Sequence, residues 1–138
     1  MKTLTTLITI LFMSLLSSPS WSETVSWGDL VNRHDLYYKK FTDVPFTGEV
    51  YGHSTGNFKK GKRNGKWLSY HENGNLMSRG NYKDGQRDGV FTTYSKDNTR
   101  LARINYKDGK QEGLGSFYHN NGYLRTTGNY NAGIRDGP

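Results

Sequence analysis

The segments NYKDGQRDG at residues 81–89 and NYKDGKQEG at residues 105–113 decide the fold of this chain. They lie 24 residues apart and share their Asn, Tyr and Gly positions. A fixed period of this length, kept without insertions, indicates a repeat protein in which each unit packs on its neighbours. Five columns keep the step: Phe58, Tyr82, Tyr106 and Tyr130; Gly61, Gly85, Gly109 and Gly133; Gly65, Gly89, Gly113 and Gly137; Tyr70, Tyr94 and Tyr118; Asn81, Asn105 and Asn129.

Each unit has the pattern of a β-hairpin. In the first unit, residues 66–70 and 76–82 have strand composition and flank the turn at residues 71–75. Asn-Gly and Asp-Gly pairs supply the positive φ that tight hairpin turns require. The second unit has Asn98 in place of the turn glycine, and Asn tolerates that conformation next best. We therefore predict an all-β fold, an array of antiparallel β-hairpins with a 24-residue period that forms a single-layer or lightly curled sheet.

Aromatic residues are expected to replace an aliphatic core. Hydrophobic residues make up 33% of the chain, which is low, whereas aromatic residues make up 14%. Trp67 and Phe91 share one column, beside the tyrosine columns. Because stacked repeats place like residues on like, we expect these columns to form packing ladders, each pair contributing about 0.5–1.5 kcal/mol beyond area burial.

The chain divides into three parts. Residues 1–22 have the pattern of a secretory signal peptide: Lys2, an apolar stretch over residues 4–16, and Ser20 and Ser22 at the cleavage positions. An uncleaved anchor is disfavoured because this stretch is too short to cross a bilayer core of about 30 Å. Residues 23–57 are predicted to form an N-terminal cap and a shortened opening repeat. The array follows over residues 58–138, with units 58–81, 82–105 and 106–129 and a partial unit 130–138.

The signal peptide predicts export, to the periplasm or out of the cell, with no transmembrane segment after cleavage. The ends of the array leave two alternatives open. Either the segment Glu23 to Phe41 and the final proline cap the sheet, or its ends pair with something else.

The formal net charge of the chain is +7, concentrated in the first unit. The candidate binding residues there are Lys59, Lys60, Lys62, Arg63 and Lys66. Such a cluster suits an acidic protein, an anionic membrane surface or a nucleic acid backbone, and export disfavours nucleic acid. It is equally consistent with a solvated loop that discourages edge pairing. Tyr70, Tyr94 and Tyr118 complete the candidate set, although packing is the alternative explanation for them.

We expect no catalytic, cofactor or metal site, and therefore no enzyme. The absence of cysteine excludes disulfides, thiolate zinc sites, cysteine nucleophiles and iron–sulfur clusters. His71 and His119 share a column, but both lie in predicted turns. The acidic pairs of the connectors, such as Asp84 and Asp88, are surrounded by Lys and Arg, which opposes a calcium site.

The repeat resembles the MORN-repeat family in its bacterial variant form. The resemblance rests on residues 81–89, 105–113 and 118–124, with lead-in segments at 36–38 and 45–50, and it covers about residues 36–138. Three departures stand out: a step of 17 from Gly48 to Gly65, Gly115 in the Trp67 column, and Arg100 in the Leu76 column.

This resemblance implies a protein-interaction module. Related bacterial chains are described as antitoxin-like, so we expect a protein that neutralises a toxin or effector, in the manner of an immunity protein. The family is also associated with acidic phospholipids, and the alternative is therefore a binder of an anionic membrane surface or envelope polymer through the basic first repeat.

Overall fold

The computed structural model describes residues 22–137 as an all-β protein. The predicted signal peptide lies outside these residues, except for Ser22, and so does Pro138. A single 3₁₀ turn, Trp27–Asp29, interrupts the strands. The strands are β1 (Glu23–Ser26), β2 (Leu30–Arg33), β3 (Leu36–Lys39), β4 (Gly48–Tyr51), β5 (Ser54–Lys59), β6 (Lys62–Tyr70), β7 (Leu76–Lys83), β8 (Gln86–Arg87), β9 (Gly89–Tyr94), β10 (Arg100–Lys107), β11 (Lys110–Gln111), β12 (Gly113–Tyr118), β13 (Leu124–Asn131) and β14 (Ile134–Asp136).

Twelve strands form one open sheet in the order β1-β4-β5-β6-β7-β9-β10-β12-β13-β14, with β8 paired to β7 and β11 to β10. β1 pairs with β4 in parallel, and the other neighbours are antiparallel. β2 and β3 form a separate two-stranded sheet. The predicted fold class, an open array of antiparallel hairpins, is therefore confirmed.

Two kinds of turn alternate along the chain. The connector turns have positive φ at both central residues, as at Asp84 (50°) and Gly85 (85°), which is the geometry of a type I′ hairpin turn. The hairpin turns have positive φ at Gly74 and Gly122, and Asn98 adopts φ of 62° at the equivalent position. The Asn98 substitution thus preserves the turn, as predicted.

The connector turns also join neighbouring units. The Gly85 N–H donates to the carbonyl of Arg63 at 2.9 Å, and the Gly109 N–H donates to that of Arg87 at 3.0 Å. The Gly133 N–H repeats this bond to Gln111 at 2.9 Å. One backbone hydrogen bond of the same kind therefore recurs every 24 residues and fixes each unit against the previous one.

One face of the sheet carries a continuous row of aromatic rings, which we call the ring face. Centroid distances are 5.2 Å from Phe58 to Trp67 and 6.0 Å from Trp67 to Tyr82, followed by 5.3 Å from Tyr82 to Phe91 and 5.5 Å from Phe91 to Tyr106. All four contacts are edge-on. Like residues therefore do not stack on like, contrary to our expectation: the two aromatic columns alternate in a single row, because both come from adjacent strands of the same sheet.

Glycines make room for the larger rings. Gly56 is opposite Trp67 in register, and a Cβ on it would lie 2.5 Å from the indole. Gly80 holds the same position one period later. In the next unit the large and the small residue change places. Ile104 stands one period after Gly80, and Gly115 stands one period after Phe91. The row of rings consequently ends at Tyr106.

The N-terminal segment covers one end of the ring face. Trp27 contacts Phe58 and Trp67 edge-on, and its Nε1–H donates to the carbonyl of Ser54 at 2.9 Å. Tyr37 packs on Phe58 with a centroid distance of 4.7 Å. The buried core gathers at this end and consists of Val25, Leu30, Phe46, Val50, Phe58 and Trp67. Burial decreases along the array, so that the β13 side chains are exposed except at Gly128 and Tyr130.

Candidate functional site

The lysines of the predicted basic cluster lie at one tip and along one face of the sheet. Lys59 and Lys62 are directly opposite each other at the end of the β5–β6 hairpin. Lys60 is in the turn between them, and its N–H donates to Thr47 Oγ1 at 2.8 Å. Lys66 lies farther along β6, and all four lysines are exposed. The structure therefore brings together the lysines that the sequence singled out.

Arg63 is separated from these lysines because it lies on the ring face. Its guanidinium carbon is 4.9 Å from the Trp67 ring and 5.3 Å from that of Tyr82, and Nη1 donates to the Tyr82 hydroxyl at 3.2 Å. Its Nε is buried and has no hydrogen-bond partner among the described residues. The contacts of Arg63 are those of a packing residue, held by cation–π attraction.

Arg87 repeats the arrangement one period later. Its guanidinium carbon lies 4.7 Å from the Phe91 ring and 5.1 Å from that of Tyr106, whose hydroxyl accepts from Nη1 at 3.0 Å. Burial acts to lower the pKa of Arg87, but its interactions with Tyr82 and Tyr106 outweigh this effect and raise the pKa above the ordinary value. This column escaped our sequence analysis, although Arg63 and Arg87 lie one period apart and Arg135 follows two periods later, with Gln111 at the position between them.

The opposite side of the sheet, which we call the outer face, carries the tyrosine column. Because side chains alternate along a strand, Tyr94 points away from Phe91 and Thr93. The guanidinium carbon of Arg79 lies 5.9 Å from the Tyr94 ring, and that of Arg100 lies 5.7 Å from the Tyr118 ring. Tyr70, Tyr94 and Tyr118 are half-buried at the ends of β6, β9 and β12, and they belong to the outer face with Lys66.

The centre of the outer face is formed by two arginines and a threonine. Arg79 and Arg103 are both opposite Thr92 in register, one on each side. Only 4% of Thr92 is exposed, whereas both arginines are exposed. Long arginine stems cover small neighbours in this way while their charged ends stay in water.

We call the group Arg79, Arg100, Arg103, Tyr94 and Tyr118 the arginine–tyrosine patch. Among residues 22–137 the ion pairs are Arg33 with Asp43 and Lys39 with Glu23, both remote from the patch. Its three arginines therefore have no carboxylate partner in the described part of the chain. Sequence analysis noted Arg100 only as a departure from the repeat and did not single out Arg79 or Arg103, because their common surface depends on strand register.

The described residues also contain a cleft, and two of their histidines have packing or hydrogen-bond partners: His53 stacks on Trp27, and His71 Nε2 lies 3.0 Å from the Tyr94 carbonyl oxygen. The cleft has a volume of about 460 Å³ beside the N-terminal cap, and Asp35, Asp84, Lys62 and Arg63 contribute charges of both signs to its lining. No group of three His, Asp or Glu residues within 22–137 is arranged to hold a metal ion. In the same range, no helix is long and apolar enough to cross a membrane.

These features define a β-repeat protein with an open, basic and tyrosine-lined face. Residues 63–84, which form most of the β6–β7 hairpin and the start of its connector, match the MORN repeat variant family. The match covers one hairpin of the array, and MORN repeats are generally modules for protein or membrane interaction. No curated protein matches the chain.

Proposed function

We propose that this chain is a non-enzymatic, exported binding protein that contacts another protein through its outer face. The observation that carries the proposal is the combination on one open face of a tyrosine column and arginines that have no carboxylate partner among residues 22–137. Tyr and Arg are the residue types that most often dominate binding energy at protein interfaces.

The shape of the sheet supports this proposal. Strands lie about 4.8 Å apart, so the ten strands in its main path span roughly 43 Å. A partner buries about 800 Å² on each side of a typical stable interface, which a surface of this extent accommodates. The recurring turn and connector hydrogen bonds hold the side chains in place before binding, which reduces the entropy lost on association.

In its finer form, the proposal is an antitoxin- or immunity-like protein that neutralises a toxin or effector in the cell envelope. The predicted signal peptide and the resemblance to antitoxin-like repeat proteins motivate this form. The chain would then act by covering a surface of its partner, and it would need no catalytic group of its own.

Affinity capture tests the partner. The full-length chain, tagged at its C-terminus and expressed in its native host, is washed at low and at high salt, and retained proteins are identified by mass spectrometry. We expect one stoichiometric protein at both salt concentrations. If that protein arrests growth when produced alone, co-expression with this chain should restore growth. Recovery of no stoichiometric protein would contradict the proposal.

A reporter fusion tests export separately. A fusion of the full chain to a reporter that is active only outside the cytoplasm should be active. The same fusion with Ile10→Arg and Leu15→Arg should lose that activity, because two charges interrupt the apolar stretch that export requires. Equal activity of both fusions would contradict export without affecting the binding proposal.

A second candidate function is binding to an anionic membrane surface or envelope polymer. The exposed group Lys59, Lys60, Lys62 and Lys66 favours it, since each basic residue near an anionic surface contributes about 1 kcal/mol. Vesicles containing phosphatidylglycerol should bind the native chain and release it as salt rises. The test variant carries Lys59→Gln, Lys60→Gln and Lys62→Gln and keeps Arg63, because Arg63 packs against the rings. Undiminished binding by this variant would defeat the candidate.

A further inference from the structure

We propose that the arginine–tyrosine patch is the docking site for an acidic segment of the partner protein, recognised through its carboxylates. This inference rests on the proposed function and centres the contact on the second repeat, with Arg79 contributed by the first repeat and Tyr118 by the third. The sequence had directed attention to the lysine-rich first repeat instead.

The first argument is that the guanidinium groups of the three arginines are exposed and have free hydrogen-bond donors. On the ring face, the guanidinium groups of Arg63 and Arg87 donate to tyrosine hydroxyls. On the outer face, Arg79, Arg100 and Arg103 are exposed and donate no side-chain hydrogen bond to the described residues. Their donors are free to form paired hydrogen bonds with carboxylates, the geometry that distinguishes Arg from Lys.

The second argument is the position of the tyrosine rings. Arg79 and Arg100 lie against Tyr94 and Tyr118, at 5.9 Å and 5.7 Å from the ring centroids. A ring that restrains a guanidinium reduces the entropy lost when a carboxylate binds, and it also offers apolar area to the partner. The covered Thr92 fixes the separation of Arg79 and Arg103 at about two strand spacings, or roughly 10 Å.

The third argument concerns charge complementarity. The strand residues of the outer face around the patch are basic, polar or apolar, because the strand segments 66–70, 76–83, 89–94 and 100–107 contain no Asp or Glu. Acidic residues lie instead at both rims, in the hairpin turns at Glu72 and Asp97 and in the connectors at Asp84 and Asp108. A flat anionic bilayer laid on this face would meet those carboxylates, whereas a narrow acidic segment along the centre need not. This distribution favours a protein partner over a membrane.

The test uses the full-length chain, at about physiological salt, and two probes. One probe is a fluorescent twelve-residue peptide of alternating Glu and Ser, and the other is a vesicle containing phosphatidylglycerol. The test variant carries Arg79→Lys and Arg103→Lys, which keep the charge and remove the planar fork. The matched control carries Lys83→Gln and Lys107→Gln, which remove two charges near one rim. Thermal unfolding confirms that each variant is folded.

We expect saturable peptide binding by the native chain, a five- to tenfold loss of affinity in the arginine variant, and less than a twofold change in the lysine control. Vesicle binding should not distinguish Arg from Lys. The inference is overturned by the absence of saturable peptide binding at millimolar concentration, by equal affinity of the native chain and the arginine variant, or by a larger loss in the lysine control.

The captured partner separates this inference from the proposed function. If a stoichiometric protein is captured and the arginine variant binds it as tightly as the native chain, the binding function stands and the patch is wrong. If no partner is captured at all, the proposed function itself fails.

Discussion

Gly80 lies directly against the ring of Phe91. A Cβ placed on Gly80 would come within 2.4 Å of the ring carbons Cδ2 and Cε2. Ring carbons held in a packed row cannot withdraw as the end of a flexible side chain can. The absence of a side chain at residue 80 is therefore a condition for the aromatic row that holds the units together.

Gly80→Ala should destabilise the protein by about 1–3 kcal/mol, because the added methyl group must displace Phe91 or the backbone. Urea unfolding followed by tryptophan fluorescence measures this loss. Gly128→Ala is the matched control in the same column, since its nearest neighbour is Arg135 Nε at 3.0 Å, on a flexible side chain. A loss at Gly128 equal to that at Gly80 would show that the ring contact is not the cause.

The exchange of a large and a small residue between positions 104 and 115 predicts that substitutions at the two positions have non-additive effects on the free energy of unfolding. Gly115→Phe alone should be destabilising, because a Cβ on Gly115 would lie 3.0 Å from Tyr130 Cε2. Ile104 and Gly115 also directly follow and precede the paired residues Arg103 and Ser116 of β10 and β12. The double variant with Ile104→Gly restores the arrangement of the first two units and should recover at least about 1 kcal/mol of that loss. A double-mutant cycle of unfolding free energies measures the coupling, and additive effects would contradict it.

The guanidinium of Arg87 should stabilise the second unit through Tyr106. Arg87→Lys is expected to cost about 1 kcal/mol, because Lys cannot keep both the ring contacts and the 3.0 Å bond to the hydroxyl. In a Tyr106→Phe background the same substitution should cost less. Lys83→Arg, at an exposed position of β7, should change stability by less than about 0.5 kcal/mol. Equal costs for Arg87→Lys in both backgrounds would contradict the assignment.

The positive φ of Asn98 predicts opposite effects for two small replacements. Asn98→Ala should lose about 1 kcal/mol because alanine is strained at φ of 62°, whereas Asn98→Gly should be neutral or slightly stabilising. Thermal unfolding compares both variants with Lys96→Ala, an exposed change in the same turn. A loss on Asn98→Gly as large as that on Asn98→Ala would show that the Asn side chain, rather than backbone conformation, is what matters.

The hairpin array and its turns were predictable because they depend on local chemistry. Gly and Asn are the residue types that most readily adopt positive φ, so residue type alone predicted the backbone conformation at Gly85 and Asn98. The 24-residue period predicted the number of units. The partition of side chains between faces was harder, because it depends on which strands are neighbours. Arg63 and Lys62 are adjacent in sequence, yet the Arg63 guanidinium packs against the Trp67 and Tyr82 rings while Lys62 is exposed, a difference that proximity along the chain does not reveal.

The arginine–tyrosine patch was beyond a column-by-column comparison for a related reason. Arg79 and Arg103 belong to one column, but Arg100 and the tyrosines come from others, and only strand register brings them together. The resemblance to a repeat family indicated the architecture and a general binding role. It did not indicate which side chains of neighbouring strands share a face, because that depends on strand register.

Because the N-terminal cap covers only one end of the ring face, local stability should decrease along the array from that end to the last hairpin. Amide hydrogens of β5 and β6, beneath the N-terminal cap, should exchange with solvent only when the whole chain opens, whereas those of β13 should exchange through fraying of the last hairpin alone. Substitutions in the third unit consequently disturb little besides that unit. The last repeat units can therefore vary in sequence without lowering the stability of the units near the N-terminal cap.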